Sequence, residues 1–292
     1  MKIGQAATIP THHTNRQTGI PPVLERYESK YSIPFSMVDD VSRFIEPYCS
    51  LDAYSEKSPD LYYTINSLYF DTPDYLLLNM RLQKTDNRFN MRVRTYGESP
   101  LLPWFLEIKH KRGDIMRKYR ARIHSENLEH LLTTPELLHH HAKNEKEEQS
   151  RILFYKLFHT YNAEPKVLIQ YKRKAYISDV EEYARVTFDI KMRSMKQTAY
   201  NPVPVEEAMQ HSDVETIFDN GTGVILELKC YTSYVPLWMV DCIRKFQLQR
   251  RGFSKYMMGI RQNLSHYREF NPSVRSMLYD EIDTAMYSEE TK

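Results

Sequence analysis

The constraint that weighs most on this chain is where its charges fall. Several segments alternate residue by residue, and a period of two is the mark of a β-strand with two unlike faces. An ordinary half-buried strand sets apolar residues against small polar ones. Here the second face carries full charges. Arg92 and Arg94 oppose Met91, Val93 and Thr95. Glu107, Lys109 and Lys111 oppose Leu106 and Ile108, and Lys118, Arg120 and Arg122 oppose Tyr119, Ala121 and Ile123. Glu227 and Lys229 oppose Leu226 and Leu228, and Glu28 with Lys30 repeats the arrangement near the start. One such strand reads as a solvated surface that also guards a sheet edge. Five set a harder problem, because like charges on neighbouring strands repel. Residues 81–122 hold 12 Lys+Arg and 4 Asp+Glu, a local excess of +8 in a chain of formal net charge +2, so the remainder carries −6. A charged face of that density requires an anionic partner.

Apolar alternation predicts strands over 24–33, 62–71, 88–97, 103–112, 115–124, 166–177, 182–191 and 223–231. Short breaks separate them at Gly97 to Pro103, at Gly113-Asp114 and at Asp219-Asn220-Gly221. The contiguous apolar run at 74–84 fits strand or helix. Helices are expected over 36–48 with Ser36 as N-cap, over 126–141, 145–161 and 236–251, and in a short piece near Ser254-Lys255. The fold class is therefore α+β: an eight-stranded antiparallel β-barrel with helices packed around it. Residues 1–22 read as a flexible N-terminal tail, 23–264 as one domain and 265–292 as a polar C-terminal tail.

Other features exclude whole classes of function. Glycine is scarce, 8 in 292 residues, and neither a phosphate loop nor a dinucleotide fingerprint occurs. Gly221 and Gly223 read as a hairpin turn, so if phosphate is held, side chains hold it. Cys49, Cys230 and Cys242 lie far apart, which implies no disulfide framework and suits a reducing, cytoplasmic setting. No apolar run approaches a membrane span. His139-His140-His141 reads as a helix end or loop tip. Near-neutral net charge argues against a nucleic-acid coat, as do carboxylates set among the cations. Those carboxylates suggest a hard divalent ion, Mg2+ or Mn2+. Cations with such a metal are what phosphoryl transfer requires, because its transition state spreads negative charge over the phosphoryl oxygens.

The strand around Glu28 and Lys30, the SLYFDT run at 67–72, the Arg92/Arg94 pair, FLEIKHK at 105–111 and VILELK at 224–229 together resemble the VTC domain. VTC domains are the polyphosphate polymerase branch of the triphosphate tunnel metalloenzymes, relatives of the CYTH enzymes. The resemblance implies a triphosphate tunnel over 23–264, binding ATP and polyphosphate with Mn2+ or Mg2+. The implied activity moves the γ-phosphoryl group of ATP onto a growing polyphosphate chain. By motif, Lys30, Arg81, Arg92, Arg94, Lys109, Lys118, Arg173, Arg185 and Lys255 would be the catalytic cations. Tyr171, Ser254, Lys111 and Arg120 would bind substrate. Glu227 would be the metal-binding glutamate, with Glu107 and Glu28 as further candidates. Arg26 stands where a CYTH-type E-x-E-x-K strand opens with a carboxylate, and Gly252 where some polymerases carry a basic residue. The resemblance also implies no nucleic-acid partner and a stand-alone cytoplasmic domain, reaching the inner face of the membrane through a separate membrane protein. The alternatives are a tripolyphosphatase or nucleoside triphosphatase, with water as acceptor, and a non-catalytic polyphosphate-binding module.

Overall fold

The computed structural model describes residues 26–113, 115–134, 143–212, 223–231, 234–250 and 252–263. The expected tails, the turn at 219–221 and His139-His140-His141 lie outside the described residues. Ten strands appear among those described: β1 (Arg26–Ile33), β2 (Cys49–Leu51), β3 (Tyr63–Asp71), β4 (Asn87–Tyr96), β5 (Leu101–Arg112), β6 (Ile115–Ile123), β7 (Glu164–Ser178), β8 (Ala184–Lys196), β9 (Gln210–His211) and β10 (Val224–Tyr231). The helices are α1 (Val38–Ile45), α2 (Ala53–Lys57), α3 (Leu76–Leu82), α4 (Leu128–Thr133), α5 (Glu145–Thr160), α6 (Leu237–Lys245) and α7 (Lys255–Gln262).

The strands form one antiparallel sheet in the order β1-β10-β8-β7-β3-β4-β5-β6, with β2 added to β7 and β9 to β8. This corrects the expectation of an eight-stranded closed barrel, because the sheet has ten strands and β1 does not pair with β6. Part of the reason lies on β1, whose free edge is met by a bridge from Tyr31 to Arg250, in the segment leading to α7. Side chains span the gap instead: Lys109 Nζ on β5 lies 3.0 Å from Glu28 on β1. The sheet has curled far enough for β1 at one edge to meet β5, next to the other edge, through an ion pair.

The alternation along the strands acquires a spatial meaning here. The apolar faces point outward, under helices. Val93, Leu106, Ile108, Ala121 and Ile123 pack with Leu128, Leu131 and Leu132 of α4 and with Phe154 and Phe158 of α5. Val186, Phe188, Leu226 and Leu228 pack with Val41 and Ile45 of α1 and with Trp238, Met239 and Cys242 of α6. Each fully buried side chain of this kind contributes roughly 1.5–3 kcal/mol, so the core lies outside the sheet and the inner face is released for charge. Ser36 does not cap as expected: α1 follows a 3-10 turn over Phe35–Met37, and neither the turn nor α1 has a side-chain cap at its N-terminus.

The ambiguous run at 74–84 is helical. Asp71, at the end of β3, accepts hydrogen bonds from Leu77 N (2.8 Å) and Leu78 N (2.9 Å), and Thr72 Oγ1 accepts from Leu76 N (2.8 Å). Those contacts satisfy first-turn donors that would otherwise be orphaned. The helix α7 packs on the inner face against β7 and β8 and plugs one end of it. Gly259 permits that approach, because a Cβ there would stand 2.8 Å from Ile169 Cδ1 and 3.2 Å from Val167 Cγ2.

Candidate functional site

The curled sheet encloses a cavity of about 1140 Å3, lined by 16 Lys and Arg residues and 4 Asp and Glu. Every candidate named from the sequence lines it: Lys30, Arg81, Arg92, Arg94, Lys109, Lys111, Lys118, Arg120, Tyr171, Arg173, Arg185, Ser254 and Lys255, together with Glu28, Glu107 and Glu227. Cross-strand register brings them together. Lys30 pairs with Glu227, Arg92 with Glu107, Glu107 with Arg120, and Lys109 with Lys118.

Two charge clusters organise the cavity. In the first, Glu107 of β5 is nearly inaccessible. Its carboxylate lies 2.7 Å from Arg92, 2.7 Å from Lys118, 3.3 Å from Arg120 and 3.8 Å from Arg94. Burial alone would raise its pKa, but Arg94, Arg92, Lys118 and Arg120 overturn that and hold the carboxyl well below the usual range. In the second, Lys30 lies 3.4 Å from Glu28 and 3.5 Å from Glu227. Glu227 also meets Lys229 (2.5 Å), Lys255 (3.3 Å) and Arg173 (3.4 Å), and the last two continue to Asp189 at 2.6 Å each. Burial opposes ionisation of Glu227, yet Lys229, Lys255, Lys30 and Arg173 keep it well below the usual range. Glu28 is likewise held down, its burial outweighed by Lys109, Lys30 and Lys229.

The lysines are tuned in both directions. Desolvation draws Lys109 down to about 8 against the pull of Glu28. Desolvation draws Lys118 down to about 7, with Arg94 and Arg92 adding to it and Glu107 opposing, although over a third of the Lys118 side chain is open to solvent, which softens the effect. Lys255 is desolvated too, but Asp189 and Glu227 reverse the outcome and raise it.

Two sequence candidates have structural partners. The Tyr171 hydroxyl accepts a hydrogen bond from Arg94 (3.0 Å) and its ring lies 4.7 Å under the Lys255 ammonium, so it orients two cations. Ser254 Oγ accepts from Met257 N at 3.4 Å as the N-cap of α7. The positive end of the α7 dipole thereby faces the cavity.

Several site residues escaped the sequence reading. Lys229 was marked by the charged alternation with Glu227 but assigned no role, and Asp189, on the face of Arg185 and Thr187, was not marked although alternation was a signal for it. Asp71 offered none. Burial pushes its carboxyl up to about 6, against hydrogen bonds from Tyr256, Leu77, Leu78 and Thr72. It accepts from the Tyr256 hydroxyl at 2.6 Å, and the Tyr256 ring stacks on Tyr69, whose own hydroxyl accepts from Arg92 (2.9 Å). That chain ties α3, α7 and the Glu107 cluster together.

The VTC domain family model matches residues 25–264, which is most of the chain. This chain belongs to the VTC domain family. The VTC domain is part of the CYTH-like tunnel-fold superfamily, and that membership carries a phosphate-related function within the tunnel. Among solved structures, a candidate adenylate cyclase from Bacillus halodurans is 10% identical, with a TM-score of 0.42 over 78% of this chain and 92% of its own. A protein from Pyrococcus horikoshii OT3 is 12% identical, with a TM-score of 0.39 over 84% of this chain and 99% of its own. No curated protein matches. No helix among the described residues is long and apolar enough to cross a membrane.

Tunnel proteins of this superfamily are generally dependent on divalent metal. The donor set here fits one kind of ion. No group of three or more His, Cys, Asp or Glu converges among the described residues, so an all-protein cage is excluded there. Glu28 and Glu227 are ionised oxygen donors that already share one cation, Lys30. Mg2+ and Mn2+ suit such a site, because they bind through one or two carboxylates and complete their shell with water and substrate phosphate.

Proposed function

We propose that this VTC domain is a polyphosphate polymerase that transfers the γ-phosphoryl group of ATP to the end of a polyphosphate chain inside the tunnel. The observation that carries the reading is the excess of cations over carboxylates around one cavity, 16 against 4. Buried charge without compensation costs several kcal/mol per ion, and a linear polyanion is the ligand that would compensate it. Arg94 adds a specific sign: its buried Nε stands 3.8 Å from Glu107 Oε2 and makes no hydrogen bond among the described residues, so its ion pair with Glu107 leaves that N–H without a close acceptor.

In this mechanism Arg92, Arg94, Lys118 and Arg120 grip phosphates on one wall, while Lys30, Arg173, Lys229 and Lys255 do so on the other. Their ion pairs with Glu107, Glu227 and Asp189 hold the side chains in position before substrate arrives, so little reorganisation remains at the moment of reaction. Arg185, Arg81 and Lys111 extend the grip toward the ends. A divalent ion held by Glu227, with Glu28 beside it, would neutralise charge on the reacting phosphates. Transfer needs no covalent enzyme intermediate, since positioning and charge stabilisation suffice.

The test is incubation with ATP and Mn2+, followed by gel analysis for chains and an assay of free phosphate. Chains support polymerisation. Free phosphate without chains would mean that water is the acceptor, and binding with neither product would mean a non-catalytic module. If Glu227→Ala left chain synthesis unchanged, the metal assignment would be wrong.

A further inference from the structure

One mouth of the cavity differs chemically from the rest. There the strand ends carry aromatic rings: Tyr63 and Tyr96 line the cavity, and Tyr54 and Phe105 pack against Tyr96 just outside its lining. Tyr96 of β4 stacks nearly parallel on Tyr54 of α2, with centroids 5.9 Å apart, and Tyr63 of β3 leans on both at 6.2 and 5.6 Å. Phe105 meets Tyr96 edge-on, and the Arg120 guanidinium lies 3.7 Å over the Phe105 ring. Tyr54 is 63% exposed, so one face of this corner is open. Packing α2 onto the sheet does not require so exposed a ring.

The carboxylate at this mouth is also different. Glu28, Glu107 and Glu227 each lie within 4 Å of at least two ammonium or guanidinium groups. Asp52 also lines the cavity, yet among the described residues it meets no Lys or Arg. Its contacts are the Ser55 amide (2.8 Å) and the Tyr63 hydroxyl (3.4 Å). An uncompensated carboxylate repels phosphate but accepts hydrogen bonds from neutral donors. Aromatic faces beside such an acceptor are suited to a nucleoside.

We propose that Tyr54, Tyr63, Tyr96 and Asp52 form a nucleoside subsite at this mouth of the tunnel. A nucleobase stacks on the open ring face, and Asp52 accepts a hydrogen bond from a sugar hydroxyl or an exocyclic amino group. The triphosphate runs inward. Tyr63 stands directly across from Arg173 in the β3–β7 register, and Arg94 lies two residues along β4 from Tyr96. Two residues of strand span about 6.6 Å, on the scale of the reach from base to first phosphate. Inorganic polyphosphate has no use for the corner, so the subsite separates nucleotide donor from inorganic chain.

This inference rests on the phosphate reading of the tunnel, and the experiment separates the two. Metal-free affinities for ATP and for inorganic tripolyphosphate are measured at low salt on the wild type, Tyr54→Ala and Tyr54→Phe. Tyr54 is exposed, so its truncation leaves the fold intact, which circular dichroism checks. The expected result is ATP affinity about tenfold weaker in Tyr54→Ala, the lower end of what a base–aromatic stack contributes. Tripolyphosphate affinity should be unchanged, and Tyr54→Phe should match the wild type. Unchanged ATP binding in Tyr54→Ala, or an equal loss for both ligands, overturns the subsite while leaving the tunnel reading standing. Failure of the wild type to bind tripolyphosphate overturns the tunnel reading, and the subsite with it.

Discussion

Replacing Glu107 by glutamine tests the electrostatic logic of the tunnel directly. The substitution keeps shape but removes the carboxylate that Arg92, Arg94, Lys118 and Arg120 share. Removing one partner of a buried ion pair costs about 3–5 kcal/mol. Lys118 and Arg120 are each 38% exposed, so solvent screens their share. Arg92 and Arg94 are the desolvated partners, which sets the expected loss near the low end, about 3 kcal/mol. For a domain of this size that lowers Tm by roughly 6–12 °C. Anion binding should move the opposite way. A phosphate charge about 6 Å from the carboxylate is repelled by on the order of 3 kcal/mol at an effective dielectric near 20. The variant should therefore bind tripolyphosphate about 100-fold more tightly. Calorimetric unfolding and titration, both in metal-free low-salt buffer, measure the two effects. Glu107→Gln should be less stable than the wild type without ligand, and saturating tripolyphosphate should narrow or reverse the difference. A variant as stable as the wild type, or one that binds tripolyphosphate more weakly, would refute the view that the Glu107 carboxylate holds these cations in place while opposing the phosphate they bind.

Three further outcomes are expected. Tripolyphosphate affinity without metal should fall as pH rises from 6.5 to 9, because Lys118 and Lys109, drawn down to about 7 and about 8, lose their charge in that window; titrations in two buffers of different ionisation enthalpy should show proton uptake on binding near pH 8. Glu28, Glu107, Glu227 and Asp189 are all held below their ordinary range, so the unfolded state takes up protons first as pH falls. Their stabilisation is complete above about pH 5 and lost progressively below it, and urea midpoints between pH 6 and 3 should decline accordingly. Gly259→Ala gains up to about 1 kcal/mol of helix propensity but forces a Cβ against Ile169 and Val167, an overpacking that costs about 1–3 kcal/mol. The expected net effect is a small loss of stability with a larger loss of phosphate affinity, because α7 carries Lys255, and parallel unfolding and binding measurements would separate the two.

Much of this was legible in the one-dimensional pattern. Charged alternation marked β1, β4, β5, β6 and β10, and the strand ends fall within a few residues of those expected. What alternation could not say is which face points inward. Charged faces ordinarily meet solvent, and here they enclose a cavity because α1, α4, α5 and α6 cover the apolar side. The Ser254 hydroxyl illustrates the same limit, since motif position cannot distinguish a phosphate contact from the cap observed on Met257 N.

The sequence by itself determined the eight long strands, the identity of the cations and the absence of a glycine-rich phosphate loop, because side-chain period and composition are local properties of the chain; the short β2 and β9 were not marked by it. Only the tertiary structure decided that the sheet stays open between β1 and β6 and that Lys109 and Glu28 reach across the gap. It also decided that Asp71 fastens α7 at Tyr256, 185 residues away in the chain, and that aromatic rings gather at one mouth. Those outcomes depend on how far a twisted sheet curls and which segment reaches its free edge first. That is a balance of packing and ion pairing across hundreds of residues, and no local period encodes it.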